Sequence, residues 1–597
     1  MARSGSTICA FNVQRARHVS RVRHASLDGP LARRALANPL RAFAARLRRT
    51  RLAALVAERG RAVPVGPMFW FAAGMLSLSV VLGGGTRSGF LSDALLQLVA
   101  IPPLLIAVSG LAALARSDPK AFRQIRPGLI FAAAIVLVPL LQLIPLPPAV
   151  WRVLPGHAPL AGALAAGEIS PGWMPISVLP NATMLSALSL LPPLAVFCCA
   201  VLLDGHERRL LSLLFVALAI LSAFLGLLQV SQGPSSPLRF FVITNASEAV
   251  GFFANRNHFA ALLYTALPFA AVFALDAGSM VRPGRGPMSF DAGSIVPVTL
   301  SLLGFVILIV AEAVARSRAG MALTMACLVG IGALVFVDRR HALERTATRL
   351  IVAALAIAIV LVLQFGLYRI LQTFAADPLD DSRFQFLRNT AAAATAYMPF
   401  GAGMGTFVPV YQVFEKPADM FSQYINHAHD DLAELWLEAG IVGIALLGAF
   451  LFWFAMRAAR IWRAAASARD LDRALARAAT LAIALVLAHS LLDYPLRTAA
   501  MMAVVALAGA LLIEPVKRAR RESARPAHAM SATTAPPLAP APPAAPRSSQ
   551  STALAPPSPP KLAKRWGEGV AWPEAWRKPT AGAGSRKPGA AEKPGKK

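Results

Sequence analysis

Asn426-His427-Ala428-His429-Asp430-Asp431-Leu432, followed by Glu434-Leu435-Trp436-Leu437-Glu438-Ala439-Gly440, is where a long polar stretch meets an apolar helix. The polar stretch, residues 369–435, is the only long interruption in an otherwise membrane-like middle. A connection of this length is functional or unstructured, and its His, Asp, Arg and aromatic content favours function. We therefore expect it to cover a site and to supply part of it.

Outward from that junction the chain is strongly apolar. Of 597 residues, 56% are hydrophobic and only 15% charged. That is more apolar surface than a soluble core can bury, and it indicates an all-α polytopic membrane protein. Runs of roughly 17–25 apolar residues, long enough to cross a core of about 30 Å, lie near 66–83, 89–114, 128–146, 184–203, 210–229, 258–275, 294–314, 319–337, 350–368, 436–456, 477–492 and 498–514. About twelve transmembrane helices are expected. They fall into helices 1–9 (63–368), a large loop (369–435) and helices 10–12 (436–514), flanked by a basic arm (1–62) and a Pro/Ala/Lys-rich tail (515–597).

The net charge of +29 sits in the arm, the short loops and the tail. That distribution argues against a nucleic-acid partner and for the positive-inside rule. Arg116, Lys120, Arg123 and Arg126 follow the second span, Arg208 and Arg209 the fourth, and Arg282 and Arg285 the sixth; 338–349 and 457–477 follow the eighth and tenth. Both termini are thus expected in the cytoplasm and the 369–435 loop outside. In the arm, Leu40, Phe43 and Leu47 at helical spacing among arginines suit either a helix on an anionic leaflet or a solvated segment. The first apolar run comes too late for a cleaved signal peptide. The tail composition is that of a disordered segment, in which Trp566, Trp572 and Trp576 are candidates for lipid contact. No internal repeat supports an inverted-repeat transporter. Cys9, Cys198, Cys199 and Cys327 offer no disulfide framework or metal spacing.

Polar motifs gather where helices would start from outside, with unpaired N–H groups and the positive dipole end. They are Gly251-Phe-Phe-Ala-Asn255-Arg-Asn257-His258, Arg316-Ser317-Arg318-Ala-Gly320, His427 to Asp431, and Asp493-Tyr-Pro-Leu-Arg497. Helix starts carrying arginine suit an anion such as phosphate. Arg316 and Arg318 sit on the side that the positive-inside rule disfavours, which marks them as functional unless they snorkel or pair with Glu312. Asn255 and Asn257 are candidates for holding sugar hydroxyls or diphosphate, or for capping their helix. His489 and Asp493, at i and i+4, read as a pair that is structural or catalytic. Asp377, Asp380 and Asp381 resemble a cation site only loosely, and Arg383 has them as potential partners; no metal is expected.

These motifs, with Pro175-Ile-Ser-Val-Leu-Pro-Asn-Ala-Thr183, Pro399-Phe-Gly-Ala-Gly403-Met-Gly405-Thr-Phe407 and His489-Ser-Leu-Leu-Asp-Tyr-Pro-Leu-Arg497, resemble in order and spacing the O-antigen ligase and polymerase family, over residues 68–514. The resemblance implies a cofactor-free, metal-independent, inverting glycosyltransferase of the inner membrane, acting on its periplasmic face. Its donor would be a polyprenyl diphosphate-linked glycan, and its acceptor the lipid A core (ligase) or another glycan (polymerase). By motif the catalytic residues fall on Arg318, Arg383 and His429, and Asn255, Asn257, Arg316, His427, Asp430 and Arg497 are candidates for substrate contact. Where the family has Asn after the histidine this chain has Asp430, which leaves open whether that carboxylate orients the imidazole. Arginine neutralises a diphosphate leaving group without a metal, and an imidazole accepts a hydroxyl proton near neutral pH. Ligase is the first choice, with a polymerase or a protein-glycosylating relative as alternatives. A lipid-linked glycan transporter is the alternative from another class, although it would need polar residues lining a path through several helices.

The loop-charge topology is checked by labelling. A cysteine placed by Asp381→Cys is expected to react with an impermeant thiol reagent from the periplasmic side, and reaction from the cytoplasm alone would reverse the orientation.

Overall fold

The computed structural model describes residues 65–86, 90–170, 172–242, 244–279, 292–338, 356, 379–417, 420, 425–464 and 470–516. The chain divides after Arg520, and all of these residues lie in the first unit. The basic arm, the 350–368 span apart from residue 356, the 369–378 segment and the tail lie outside them.

The order is helical almost throughout. Pro67–Leu82 (α1), Leu91–Ser117 (α2) and Pro119–Gln142 (α3) lead into a short antiparallel ladder, Pro145–Leu146 (β1) with Met174–Pro175 (β2), which encloses helices Pro148–Trp151 (α4) and Ala158–Ala166 (α5). Pro180–Ser189 (α6), Leu191–Val201 (α7), Gly205–Ser231 (α8), Arg256–Ser279 (α9), Ala292–Ala315 (α10) and Arg318–Asp338 (α11) follow. Leu379–Ala396 (α12) and Phe407–Phe414 (α13) precede Asp431–Arg463 (α14), Leu471–His489 (α15) and Ala499–Leu511 (α16).

Among the described residues, eight helices are long and apolar enough to cross a membrane, against the twelve expected. Two expected spans, α1 and α16, have only 16 and 13 residues. At 1.5 Å per residue they reach about 24 and 20 Å, short of a ~30 Å core. In α15 the first two turns carry Asp472, Arg473 and Arg477, so its apolar part is shorter than the expected span. The expected 436–456 span begins earlier and ends later, as α14.

One helix organises the bundle. Nearly all of Arg256–Gly278 is buried, 94% against 50% or less for the other candidate spans. It packs against α8, α10, α11 and α15. At one end of the bundle the buried Arg208 guanidinium donates to the carbonyls of Ala200, Val201, Ala510 and Ile513, collecting the carbonyl ends of α7 and α16. The residues around Asn257 lie at the other end.

The expected 369–435 loop is not irregular where it is described. Phe386, Ala393, Tyr397, Phe407, Val410, Tyr411, Ala428 and Leu437 form an apolar core of their own beneath α12, α13 and the start of α14. The join to the bundle is made at Gly440, which interrupts α14 with φ 58° and ψ −145°. The break deprives Leu437 and Glu438 carbonyls of helical partners. The N–H groups of Ala402 and Gly403 replace them, Gln142 Nε2 adds a bond to the Glu438 carbonyl, and Ile441 N–H turns to the Pro399 carbonyl. A Cβ at position 440 would collide with the backbone of Pro399 and Gly401. The Glu438-Ala-Gly440 and Pro399-to-Gly405 motifs are therefore two sides of one contact.

Gly440→Ala is expected to lower the thermal midpoint by the equivalent of at least ~1–3 kcal/mol. Gly448→Ala in the same helix, where a Cβ meets nothing within 4 Å, should leave it unchanged.

Candidate functional site

The site is built where the starts of α9, α11 and α14 meet the turn after α15. α15 ends at His489, ahead of Pro495, and the Asp493 N–H closes one further turn on the His489 carbonyl at 2.9 Å. Asp493 nonetheless does not pair its side chain with His489. Its side chain is completely buried and faces His429 instead, with His429 Nδ1 donating to Asp493 Oδ1 at 3.0 Å. Asn257 Nδ2 donates to the other oxygen at 2.6 Å, and Asn257 Oδ1 accepts from Ser317 Oγ at 2.9 Å. Ser317 Oγ in turn accepts from Gly320 N–H at 3.0 Å, capping the helix on which Arg318 is the first residue. A continuous hydrogen-bonded line thus runs from the Ser-Arg motif to the histidine.

Burial alone would push Asp493 up, but the hydrogen bond and charge of His429 hold it well below the usual carboxylate range. An ionised Asp493 requires a proton on Nδ1 of His429, which leaves Nε2 as the ring's basic atom. No hydrogen bond to Nε2 is present among the described residues, and about a quarter of the side chain is exposed. His429 also holds a left-handed backbone, φ 54°, as does Arg316 at φ 55°. For non-glycine residues this conformation costs energy and is retained where surrounding contacts impose it. Phe386 stacks on the His429 ring and Tyr494 meets it edge-on.

His427, two residues before His429, is arranged differently. Nδ1 donates to Glu434 at 2.9 Å and Nε2 donates to the Thr86 carbonyl at 3.1 Å. With both nitrogens directed at acceptors, neither offers a lone pair. Burial pulls its pKa down, but the Glu434 carboxylate and the Thr86 carbonyl more than reverse this, and the net value is raised. His427 is a cationic strut.

The remaining sequence candidates separate in the same way. Arg383 Nη1 donates to the Leu492 carbonyl at 3.1 Å, beside Asp493. Asn255 Oδ1 accepts from Asn257 N–H at 2.8 Å, in the position that caps α9. Asp430 Oδ1 accepts from the N–H groups of Leu432 and Ala433 at 2.8 and 3.0 Å, so it caps α14, a task for which Asn and Asp are equivalent. The carboxylate that orients the imidazole is Asp493. Arg497 is enclosed by Glu438 at 2.7 Å, Glu434 at 3.3 Å and Asp431 at 3.5 Å, which commits its charge to protein partners. His489 Nδ1 bonds the Tyr264 hydroxyl at 2.8 Å in place of Asp493. Among the described residues, neither oxygen of the buried Glu312 is bonded to Arg316 or Arg318. Asp377 and the side chains of Asp380 and Asp381 lie outside the described residues.

Sequence reasoning missed the Asp493–His429 pair and the roles of Glu434 and Tyr494. The partner of Asp493 lies 64 residues away, where no local spacing marks it.

A family model described as O-antigen ligase matches residues 303–448. The matched segment holds Arg318, Arg383 and His429, whereas Asn257 and Asp493 lie outside it and complete its hydrogen bonding. The match places the chain broadly among ligase- and polymerase-type proteins of surface-polysaccharide synthesis. No curated protein matches the chain.

The His427–Glu434 pair gives a pH-dependent stability of known sign. A raised imidazole pKa contributes fully below the ordinary histidine value of about 6.5 and fades as pH climbs through the raised value. The loss of thermal midpoint in His427→Gln, measured in nanodiscs, should therefore be larger at pH 6 than at pH 9.

Proposed function

We propose that the protein is a membrane glycosyltransferase that moves a glycan from a polyprenyl diphosphate carrier to a hydroxyl of a surface glycolipid on the periplasmic face, as an O-antigen ligase does. The observation that carries this reading is the line Arg318–Ser317–Asn257–Asp493–His429, which couples an anion-binding helix start to an oriented base. The O-antigen ligase match, which includes Ser317, Arg318 and His429 but not Asn257 or Asp493, supports it.

In this reading His429 Nε2 takes the proton of the acceptor hydroxyl as its oxygen attacks the anomeric carbon. The bond to the diphosphate breaks, and the leaving group departs with the bonding electrons. Arg318 and Arg383 stabilise the charge that develops there. Asp493 keeps Nδ1 protonated and steadies the imidazolium, the role a buried aspartate has beside other catalytic histidines. A single displacement inverts the anomeric centre. The α12–α13 cap positions the acceptor and limits access of water.

Transfer from a purified lipid-linked glycan in nanodiscs tests the assignment. Asp493→Asn presents an amide where Nδ1–H needs an acceptor and should cut kcat by about 10²–10⁴, with His429→Ala and Arg318→Ala at least as damaging. Survival of transfer in both His429→Ala and Arg318→Ala would sink the mechanism. In a deletion strain, long polymer left on its carrier is the expected ligase phenotype, whereas single-repeat surface glycans would assign a polymerase.

A further inference from the structure

α3 does not hand the chain directly to α6. Between them it makes an excursion through α4 and α5, closed at its base by the β1–β2 ladder. Leu143 and Ile144 alone separate α3 from β1, and α6 begins at Pro180, soon after β2. α3 and the Pro180–Val201 stretch are long and apolar enough to cross a membrane, so both feet of the excursion stand where a span ends. That end also carries the candidate site, since Gln142, the last residue of α3, donates to the Glu438 carbonyl.

The excursion carries an apolar surface of its own. None of the nine residues of α5 is buried, and its sequence, Ala-Pro-Leu-Ala-Gly-Ala-Leu-Ala-Ala, has no polar side chain. Val153 and Trp173 are 77% and 68% exposed, and Val150 and Ile169 are exposed as well. Arg152 and Glu168 are the only charged residues between Leu143 and Leu179. Apolar surface of this kind marks something that covers it. Continuity identifies the cover. Leu140, Leu141 and Ile144 are exposed at the end of α3 and Leu179 just before α6, so the lipid-facing side of the spans runs on into the excursion from both feet. At nine residues α5 reaches about 14 Å, too short to cross a ~30 Å core. It suits the plane of the interface, where Trp173, Arg152 and Glu168 meet headgroups.

The excursion is also fastened to the cap. Gly156, between α4 and α5, has φ 79°, and a Cβ there would collide with the Tyr397 ring. The buried His157 meets Tyr397 edge-on at 6.1 Å, and the buried Trp151 meets His157 edge-on at 5.2 Å. Tyr397 belongs to the apolar core beneath α12.

We infer that the α4–α5 excursion is a lipid-immersed anchor. It lies at the headgroup–acyl boundary of the leaflet on the site's side, with α5, Val153 and Trp173 against the acyl chains, and it moors the cap through the contacts of Gly156 and His157 with Tyr397. The inference is independent of the reaction proposed above.

Collision of a nitroxide label with oxygen, which concentrates among acyl chains, and with a water-soluble nickel chelate tests it. The full chain is used in nanodiscs with Cys9→Ser; Cys198, Cys199 and Cys327 are buried. At Gly162→Cys, where a Cβ meets nothing within 4 Å, the oxygen-to-chelate ratio is expected to exceed that at Lys416→Cys, an exposed position after α13, by about threefold or more. Val153→Asp combined with Trp173→Asp should pull the Gly162 ratio toward the Lys416 value, because carboxylates are not retained among acyl chains. A Gly162 ratio equal to that at Lys416 would place α5 in water, and low collision with both reagents would place it under protein; either result overturns the anchor. The Gly162 measurement decides this alone if the double aspartate variant does not fold. Gly156→Val should broaden the Gly162–Lys416 label distance measured by dipolar coupling, and an unchanged distribution in folded protein overturns the mooring.

Discussion

A fully buried carboxylate must be matched by donors from its surroundings, because an unpaired charge in that environment costs several kcal/mol. Asp493 meets this demand with His429 from the start of α14 and Asn257 from the start of α9, and Asn257 passes the constraint to Ser317 at the start of α11. Three helix starts distant in sequence are thereby held around one charge. The most buried helix of the bundle carries Asn257, so the anchor point lies where the scaffold has least freedom.

Two histidines separated by one residue have opposite surroundings. Each has a carboxylate at Nδ1, but Nε2 of His427 is taken by the Thr86 carbonyl and that of His429 carries no bond among the described residues. Tyr494 lies against both rings, 4.3 Å from one and 5.0 Å from the other, and forms the partition between them. The charge on the His427 side is neutralised within the protein by Glu434, Glu438, Asp431 and Arg497. An acidic cluster around Arg497 thus adjoins His427, whereas His429 is tied through Asp493, Asn257 and Ser317 to the start of α11.

Much of this arrangement was legible in the chain. Apolar runs gave the bundle, and the clustering of Arg316, Arg318, His427 and His429 at helix starts pointed to the end where the candidate site is built. The helical cap was harder to see, because Phe386, Tyr397, Phe407 and Tyr411 pack together from α12, the residue after it and α13, and neither helix carries an apolar run of membrane length. The orienting carboxylate was hidden for a different reason. Asp493 is 64 residues from His429, and the histidine four residues before it was the partner that local spacing suggested. Asp430 looked like a departure with chemical meaning, but the position asks only for an oxygen that accepts two N–H groups, which Asn supplies equally well.

The left-handed backbone of His429 has one further consequence. Between His427 and Asp431 the chain must deliver one ring to Glu434, turn over within a single residue, deliver the next ring to Asp493 and then cap a helix. Every residue of that five-residue segment has an address, and none is slack. Removing or inserting one residue would disturb both imidazole pairings and the cap of α14 in the same event. The segment works as a fixed-length spacer, and its count of residues is as much a part of the site as its side chains.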